Sequence, residues 1–298
     1  MDAWRVIDCS SMKGELSGSH GTLKIMPEGQ PSVSVPLAEI AVLLVGLETK
    51  LSSGLLVRLM NSDTTVVPCD WAGVAVGGLI PWSTHTRIGA RQEAQANVSL
   101  PRKKALWGQI VRGKILGQAM VLEAEDKSAY KTLRRIANDV RSGDPANSEG
   151  QAARVYWKAL FDDDFSRVPG GGGEINWALD YGYTVLRGLG IRGVASAGLI
   201  PSLGVFHRGR SNPFNLVDDL MEVYRPMIDF CVATELQQAE PGDKIAKQRL
   251  VALFSQPFED SGVGVAASFS RFSQFVGQYF EGDITRVDVP SWRGPEVG

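Results

Sequence analysis

The chain has 298 residues, 44% hydrophobic and 21% charged, with 31 Lys and Arg against 33 Asp and Glu for a formal net charge of −2. That composition excludes a disordered or collagen-like chain, and the near-neutral balance gives no global attraction to nucleic acid, so any such binding must rest on local basic clusters. The length suits two domains of ordinary size, each with its own core.

From Trp4 to about Pro68 the sequence offers short β-rich runs: Val6 to Cys9, Leu23 to Met26, Val33 to Val35, Ile40 to Val45 and Thr64 to Val67. Turn residues such as Gly29 and Asn61 separate several of them, so this part reads as a small β-sandwich, with a short helix over residues 51–59. Residues 71–86 are uncharged but carry three Gly and a Pro and fall short of a spanning length, so no membrane segment is read. The N-terminus lacks a basic segment followed by an apolar one, so no secretory signal is visible. Cys9, Cys69 and Cys231 are odd in number and far apart, which points away from a disulfide framework or a structural zinc site and toward a reducing cytoplasm.

Residues 87–101 read as polar and irregular. Beyond them Trp107, Ile110, Val111, Ile115, Ala119 and Leu122 recur at spacings of mostly three and four, which predicts a long amphipathic helix. Helical patterns continue to about residue 285, including Ile175, Leu179, Tyr183 and Leu186 after the glycine run 170–173. That run lacks the Lys-Ser/Thr of a phosphate loop and reads as a hinge. The tail from Arg286, with Pro290, Gly294 and Pro295, is expected to be poorly ordered. The expected architecture is therefore α+β with two domains: a β-sandwich and linker over 1–93, an all-α domain over 94–285, and a tail over 286–298.

Three separated patches supply types that suit one metal site. Pro145 and Asn147 break the preceding helix, and either Asn147 or Ser148 caps a new one running through Tyr156 and Trp157, which puts Glu149 in a first helical turn. A carboxylate there also simply stabilises the helix start. His207 follows an apolar run broken by Gly198, Pro201 and Gly204, beside Arg208 and Arg210; an isolated His in such a setting is as readily a hydrogen-bonded structural residue. Asn212 and Pro213 look like the cap and first position of a helix over 213–225, ending or kinking near Pro226. On it Asp219 and Glu222 flank an apolar stripe of Leu216, Leu220, Val223 and Met227. Two acids three apart repel unless a metal ion or an Arg sits between them, which predicts that neutralising Glu222 raises the melting temperature of the metal-free protein. Carboxylates with one imidazole suit a hard divalent ion, Mg²⁺ or Mn²⁺, better than zinc.

Five segments resemble the CRISPR-associated adaptation integrases, the Cas-one endonuclease family, most closely its type II members. They are residues 106–115 (LWGQIVRGKI), 142–149 (SGDPANSE), 180–187 (DYGYTVLR), 198–207 (GLIPSLGVFH) and 219–226 (DLMEVYRP). The resemblance implies an N-terminal β-sandwich that dimerises, a helical catalytic domain, and Glu149, His207 and Glu222 as catalytic metal ligands for Mg²⁺ or Mn²⁺ with Asp219 as a supporting acid. Asp218 is an additional acid without an assigned role. Arg225 resembles a basic residue near the family's site and, with Arg208 and Arg210, is expected to contact DNA. Gly150 stands where the family pattern more often has Ala. The implied reaction joins the 3′-hydroxyl ends of short duplex DNA to the leader-repeat boundary of a CRISPR array by transesterification. Water in place of the hydroxyl gives nuclease activity. Implied partners are DNA, a second copy of the chain, the small Cas-two adaptation protein and the type II RNA-guided effector, in a bacterial cytoplasm with no membrane involved. Two other readings are a DNA-binding scaffold without catalysis and a metal enzyme acting on a small phosphorylated substrate; the chain offers no nucleotide fingerprint for the latter.

Overall fold

The structure, a computed structural model, describes residues 5–71, 73, 75–82, 85–161 and 164–295. Trp4 and residues 296–298, the ends of the expected sandwich and tail, lie outside the described residues.

The strand-rich region contains β1 (Arg5–Cys9), β2 (Gly14–Ser19), β3 (Thr22–Pro27), β4 (Val33–Pro36), β5 (Ile40–Val45), β6 (Thr49–Leu51), α1 (Ser53–Asn61) and β7 (Thr65–Pro68). One sheet has the order β1-β5-β7 with parallel pairing; the other has the order β4-β3-β2-β6. The expected runs are all present as strands, and β2 and β6 are additional. β2 buries only Leu16 and the three-residue β6 buries nothing fully, so alternation does not announce them. Ser52 caps α1 by accepting from the Leu55 amide.

The two sheets face each other across Leu16, Leu23, Val35, Ile40, Leu43 and Val45, joined by Leu55 and Leu59 of α1. All six residues of β5 are buried because successive side chains point to opposite faces. Leu43 and Val45 enter the sandwich, whereas Val42 and Leu44 join the helical core. The β1-β5-β7 sheet is thus covered on both faces, and the helical and sandwich cores share it.

The helical region comprises α2 (Ile88–Asn97), α3 (Leu100–Ala124), α4 (Tyr130–Asp139), α5 (Ser148–Leu160), α6 (Glu174–Ser196), α7 (Asn215–Met221), α8 (Arg225–Glu235), α9 (Lys244–Leu253) and α10 (Val265–Glu281). The segment expected to be irregular forms α2. Its polar sequence hides a tertiary anchor: Arg91, 4% exposed, pairs with Glu281 at 2.9 Å and donates to the Ala197 carbonyl and the Gln274 side chain. The helical region consequently starts at residue 88, before the expected boundary at 94.

The tail is also corrected. Val287 and Trp292 are buried, and the Arg293 amide donates to the Phe258 carbonyl, so the chain is packed through this stretch. A large aromatic ring with a place to bury outweighs the disordering tendency of its Gly and Pro neighbours.

Helix α3 runs through the helical region and packs against α4, α5, α7 and α8. Pro101 lies in its first turn, where a missing N–H costs nothing. Residues 107, 110, 111, 115, 119 and 122, the stripe read from the sequence, are all buried.

Candidate active site

Glu149 is placed by a cap built from two side chains. Asn147, in the left-handed conformation with φ of 52°, accepts from the Gly150 amide at 3.2 Å. Asp144 accepts from the Ser148 amide at 2.8 Å and the Glu149 amide at 3.0 Å. The start of α5 is therefore saturated by neighbours, and the Glu149 side chain is left to reach Lys114 of α3, whose Nζ lies 2.7 Å from Oε1.

Glu222 follows the last residue of α7, and Pro226 lies in the first turn of α8. The helix expected over 213–225 is thus a shorter one beginning at Asn215, because Asn212 turns the chain by accepting from the Phe214 amide. Proline starts the next helix there and does not kink the first. Glu222, 3% exposed, takes Lys114 on Oε2 at 2.5 Å and Arg225 on Oε1 at 3.1 Å. Burial alone would raise its carboxyl pKa, but Arg225 and Lys114 together hold it below its ordinary value. Lys114 is held above its ordinary range: burial opposes its charge, and Glu222 and Glu149 overcome that.

His207 sits on a loop organised by Asp219, which is fully buried. One Asp219 oxygen accepts from the amides of Val205, at 2.5 Å, and Phe206, at 3.0 Å; the other accepts from the His207 amide, at 3.0 Å, and meets His207 Nδ1 at 2.7 Å. A carboxylate only accepts, so Nδ1 carries the proton and Nε2 is the free ring position. This hydrogen bond raises the His207 pKa against partial burial, with Asp219 and then Glu222 adding electrostatic support. Gly204 is required at the close approach: a Cβ there would lie 2.5 Å from the His207 carbonyl and 2.8 Å from an Asp219 oxygen. Trp107 of α3 stacks flat on Phe206 at 4.3 Å, and both rings stand edge-on to the imidazole.

Each expected site residue now has a place. Glu149 and Glu222 meet through Lys114, and His207 is near enough to Glu222 to feel its charge. Among the described residues, however, no three His, Cys, Asp or Glu side chains stand close enough to hold one ion. A lysine ammonium lies between the two glutamates instead. Asp219 supports the imidazole, and all of its capacity is spent on the loop. Asp218 pairs with Arg187 at 2.7 Å and accepts from Asn212 at 2.7 Å, which fixes the other side of the same loop. Arg225, expected to reach DNA, pairs with Glu222 Oε1 and lies over the ring of Tyr183, 4.8 Å from its guanidinium carbon. Arg208 and Arg210 are exposed beside His207.

Sequence reasoning passed over Lys114, although it lies within one of the quoted segments. The available signal was its position seven residues after Trp107 and four after Ile110, a charge set on the buried face of α3.

The donor types fit a hard divalent ion. Glu222 Oε2 is buried without a hydrogen bond of proper geometry, His207 offers Nε2, and the site is anionic enough to have drawn in two cations of its own.

A sandwich joined to a helical region, with clustered carboxylates and one oriented imidazole, defines the class as a two-domain α+β protein with a charged site between helices. The family described as CRISPR associated protein Cas1 matches residues 10–249, and the chain belongs to that family. It is 41% identical over 221 residues to the CRISPR-associated endonuclease Cas1 of Neisseria meningitidis serogroup C (strain 8013), covering 74% of this chain and 72% of that protein. It is 27% identical to a CRISPR-associated endonuclease Cas1 of Francisella tularensis subsp. novicida (strain U112), over 68% of this chain and 70% of the other. Among solved structures, a CAS1 protein from Thermotoga maritima superposes with a TM-score of 0.73 at 16% identity, over 93% and 97% of the two chains. A casposase bound to integration product gives 0.76 at 16% identity, over 97% and 93%. These two likenesses establish the shared fold.

Proposed function

We propose that this chain is a metal-dependent DNA integrase and endonuclease of CRISPR adaptation, joining the 3′-hydroxyl ends of short duplex DNA to the leader-repeat boundary. The observation that carries the reading is the convergence of Glu149 and Glu222, from separate elements, on one cation beside an imidazole oriented by Asp219. Membership of the Cas1 family and the endonuclease relatives support it.

Glu149, His207 and Glu222 are the residues that would hold Mg²⁺ or Mn²⁺. Bound there, the ion would supply charge neutralisation of the scissile phosphate and of the departing oxygen. Arg225 holds Glu222 ionised and fixed. Asp219 keeps Nε2 of His207 unprotonated and aimed whenever the ring is neutral. Arg208 and Arg210 offer exposed charge for the DNA backbone. The 3′-oxygen attacks phosphorus, the existing bond from phosphorus to the leaving 3′-oxygen breaks, and a proton passes from the attacking hydroxyl to solvent and from solvent to the leaving oxygen. With water attacking, the same exchange is hydrolysis, and no covalent enzyme intermediate forms.

The partner reading is a homodimer carrying DNA with the small Cas-two protein and, in type II systems, the RNA-guided effector. The fold of this chain is similar to part of a solved Cas6-RT-Cas1--Cas2 complex, with a TM-score of 0.71 at 16% identity over 95% of this chain and 36% of that one, which supports the Cas-two part. No described helix is long and apolar enough to cross a membrane.

The test is integration of a fluorescent duplex into a supercoiled, repeat-bearing plasmid with Mn²⁺ or Mg²⁺. Glu149→Ala and His207→Ala are expected to lose integration by at least about 100-fold while still binding the duplex. Full activity in either variant refutes the assignment.

A further inference from the structure

Within the metal site proposed above, on which its role rests, Lys114 occupies the centre. Its ammonium lies 2.7 Å from Glu149 and 2.5 Å from Glu222, so it stands between the two carboxylates that a shared ion must also touch. Two cations cannot share that space: at about 4 Å, a unit charge and a divalent ion repel strongly even with an effective dielectric constant near 20. The ammonium hydrogen-bonds Glu149 Oε1 and makes an ion pair with Glu222 Oε2, so both carboxylates are already committed to one cation.

A second place exists for the ammonium. Lys114 also lines a cavity of about 110 Å³ shared with Gln118, Tyr183, Arg225 and Asp229. Gln118 is one turn farther along α3, 2% exposed, and its Oε1 is buried without a hydrogen-bond partner. A buried orphan acceptor is costly and calls for a donor. The Asp229 carboxylate, held by the hydroxyls of Tyr156 and Tyr183, is on the same wall. A lysine has the chain length and rotational freedom to exchange one set of acceptors for the other, which an arginine fork does not.

We infer that Lys114 is the resident counter-ion of the metal-free site, keeping Glu149 and Glu222 aligned, and that a divalent ion binds by displacing its ammonium toward Gln118 and Asp229. Lys114 is a positioning residue in this account. It competes with the ion and limits its affinity.

The experiment is calorimetric titration of the full-length chain with Mn²⁺, without DNA. Lys114→Met is expected to bind Mn²⁺ at least about tenfold more tightly than the unaltered chain, and to gain more in melting temperature from saturating Mn²⁺. Equal or weaker binding overturns the displacement. Because Lys114→Met leaves Glu149 without its cation and Glu222 with Arg225 alone, a measurement on the unaltered chain stands beside it: Mg²⁺ titration of ¹⁵N-lysine-labelled protein is expected to shift the Lys114 side-chain nitrogen resonance in step with binding. A resonance that stays still at saturation overturns the inference. Glu149→Gln separates the two layers. Loss of Mn²⁺ binding in Glu149→Gln with no gain in Lys114→Met sinks the displacement alone, whereas unimpaired binding in Glu149→Gln sinks both the displacement and the metal site.

Discussion

Asp219 and Glu222, three residues apart, have opposite environments. Asp219 accepts three backbone amides and an imidazole, and Glu222 is gripped by two cations. The repulsion expected from their spacing does not arise, because one points into a loop and the other across to α3 and α8. The sign of the Glu222→Gln prediction is therefore reversed. Neutralising Glu222 leaves the partly exposed Arg225 without its carboxylate and Lys114 with Glu149 alone, and is expected to destabilise the metal-free protein by about 2 kcal/mol, read as a lower melting temperature in EDTA. A higher melting temperature would restore the crowding picture. His207 gives a pH signature. Its pKa is raised chiefly by the Asp219 hydrogen bond, so its contribution to stability is full below its unfolded value of 6.5 and is lost as pH rises through the higher folded value. Denaturation in EDTA across pH 6 to 8 should show that decline in the unaltered chain and a flatter profile in Asp219→Asn. Identical profiles would mean that Asp219 does not set the titration.

At the scale of elements, the site is where α3, the start of α5, the loop before α7 and the α7–α8 junction come together. The amphipathic stripe of α3, the start of α5 and the strand runs were legible because each follows from local periodicity or capping. Helix α2 was not, since its polar sequence is anchored by buried Arg91, whose partners Glu281 and Gln274 are some 190 residues away, and by buried Gln95, bonded to Ile200 and Leu203. Arg91→Ala is expected to cost about 3 kcal/mol by leaving Glu281 buried and half-paired. It should also raise hydrogen exchange across α2 first, and unchanged protection there would contradict the anchor. The candidate ligands were legible from type and from family resemblance. The ammonium between them was not, because a lysine in a helical pattern ordinarily reads as solvated.

For the whole molecule, the shared β1-β5-β7 sheet couples the sandwich to the helical core, so the two regions are not independent supports for the site. The central claim is that Glu149, His207 and Glu222 of this one chain form a single divalent site, and electron spin-echo measurements on bound Mn²⁺ test it without DNA or turnover. The account predicts one bound Mn²⁺ per chain with nitrogen coupling from one imidazole, the coupling vanishing in His207→Ala and the ion itself lost in Glu149→Ala. Bound Mn²⁺ with no nitrogen coupling, or coupling that survives His207→Ala, would contradict it.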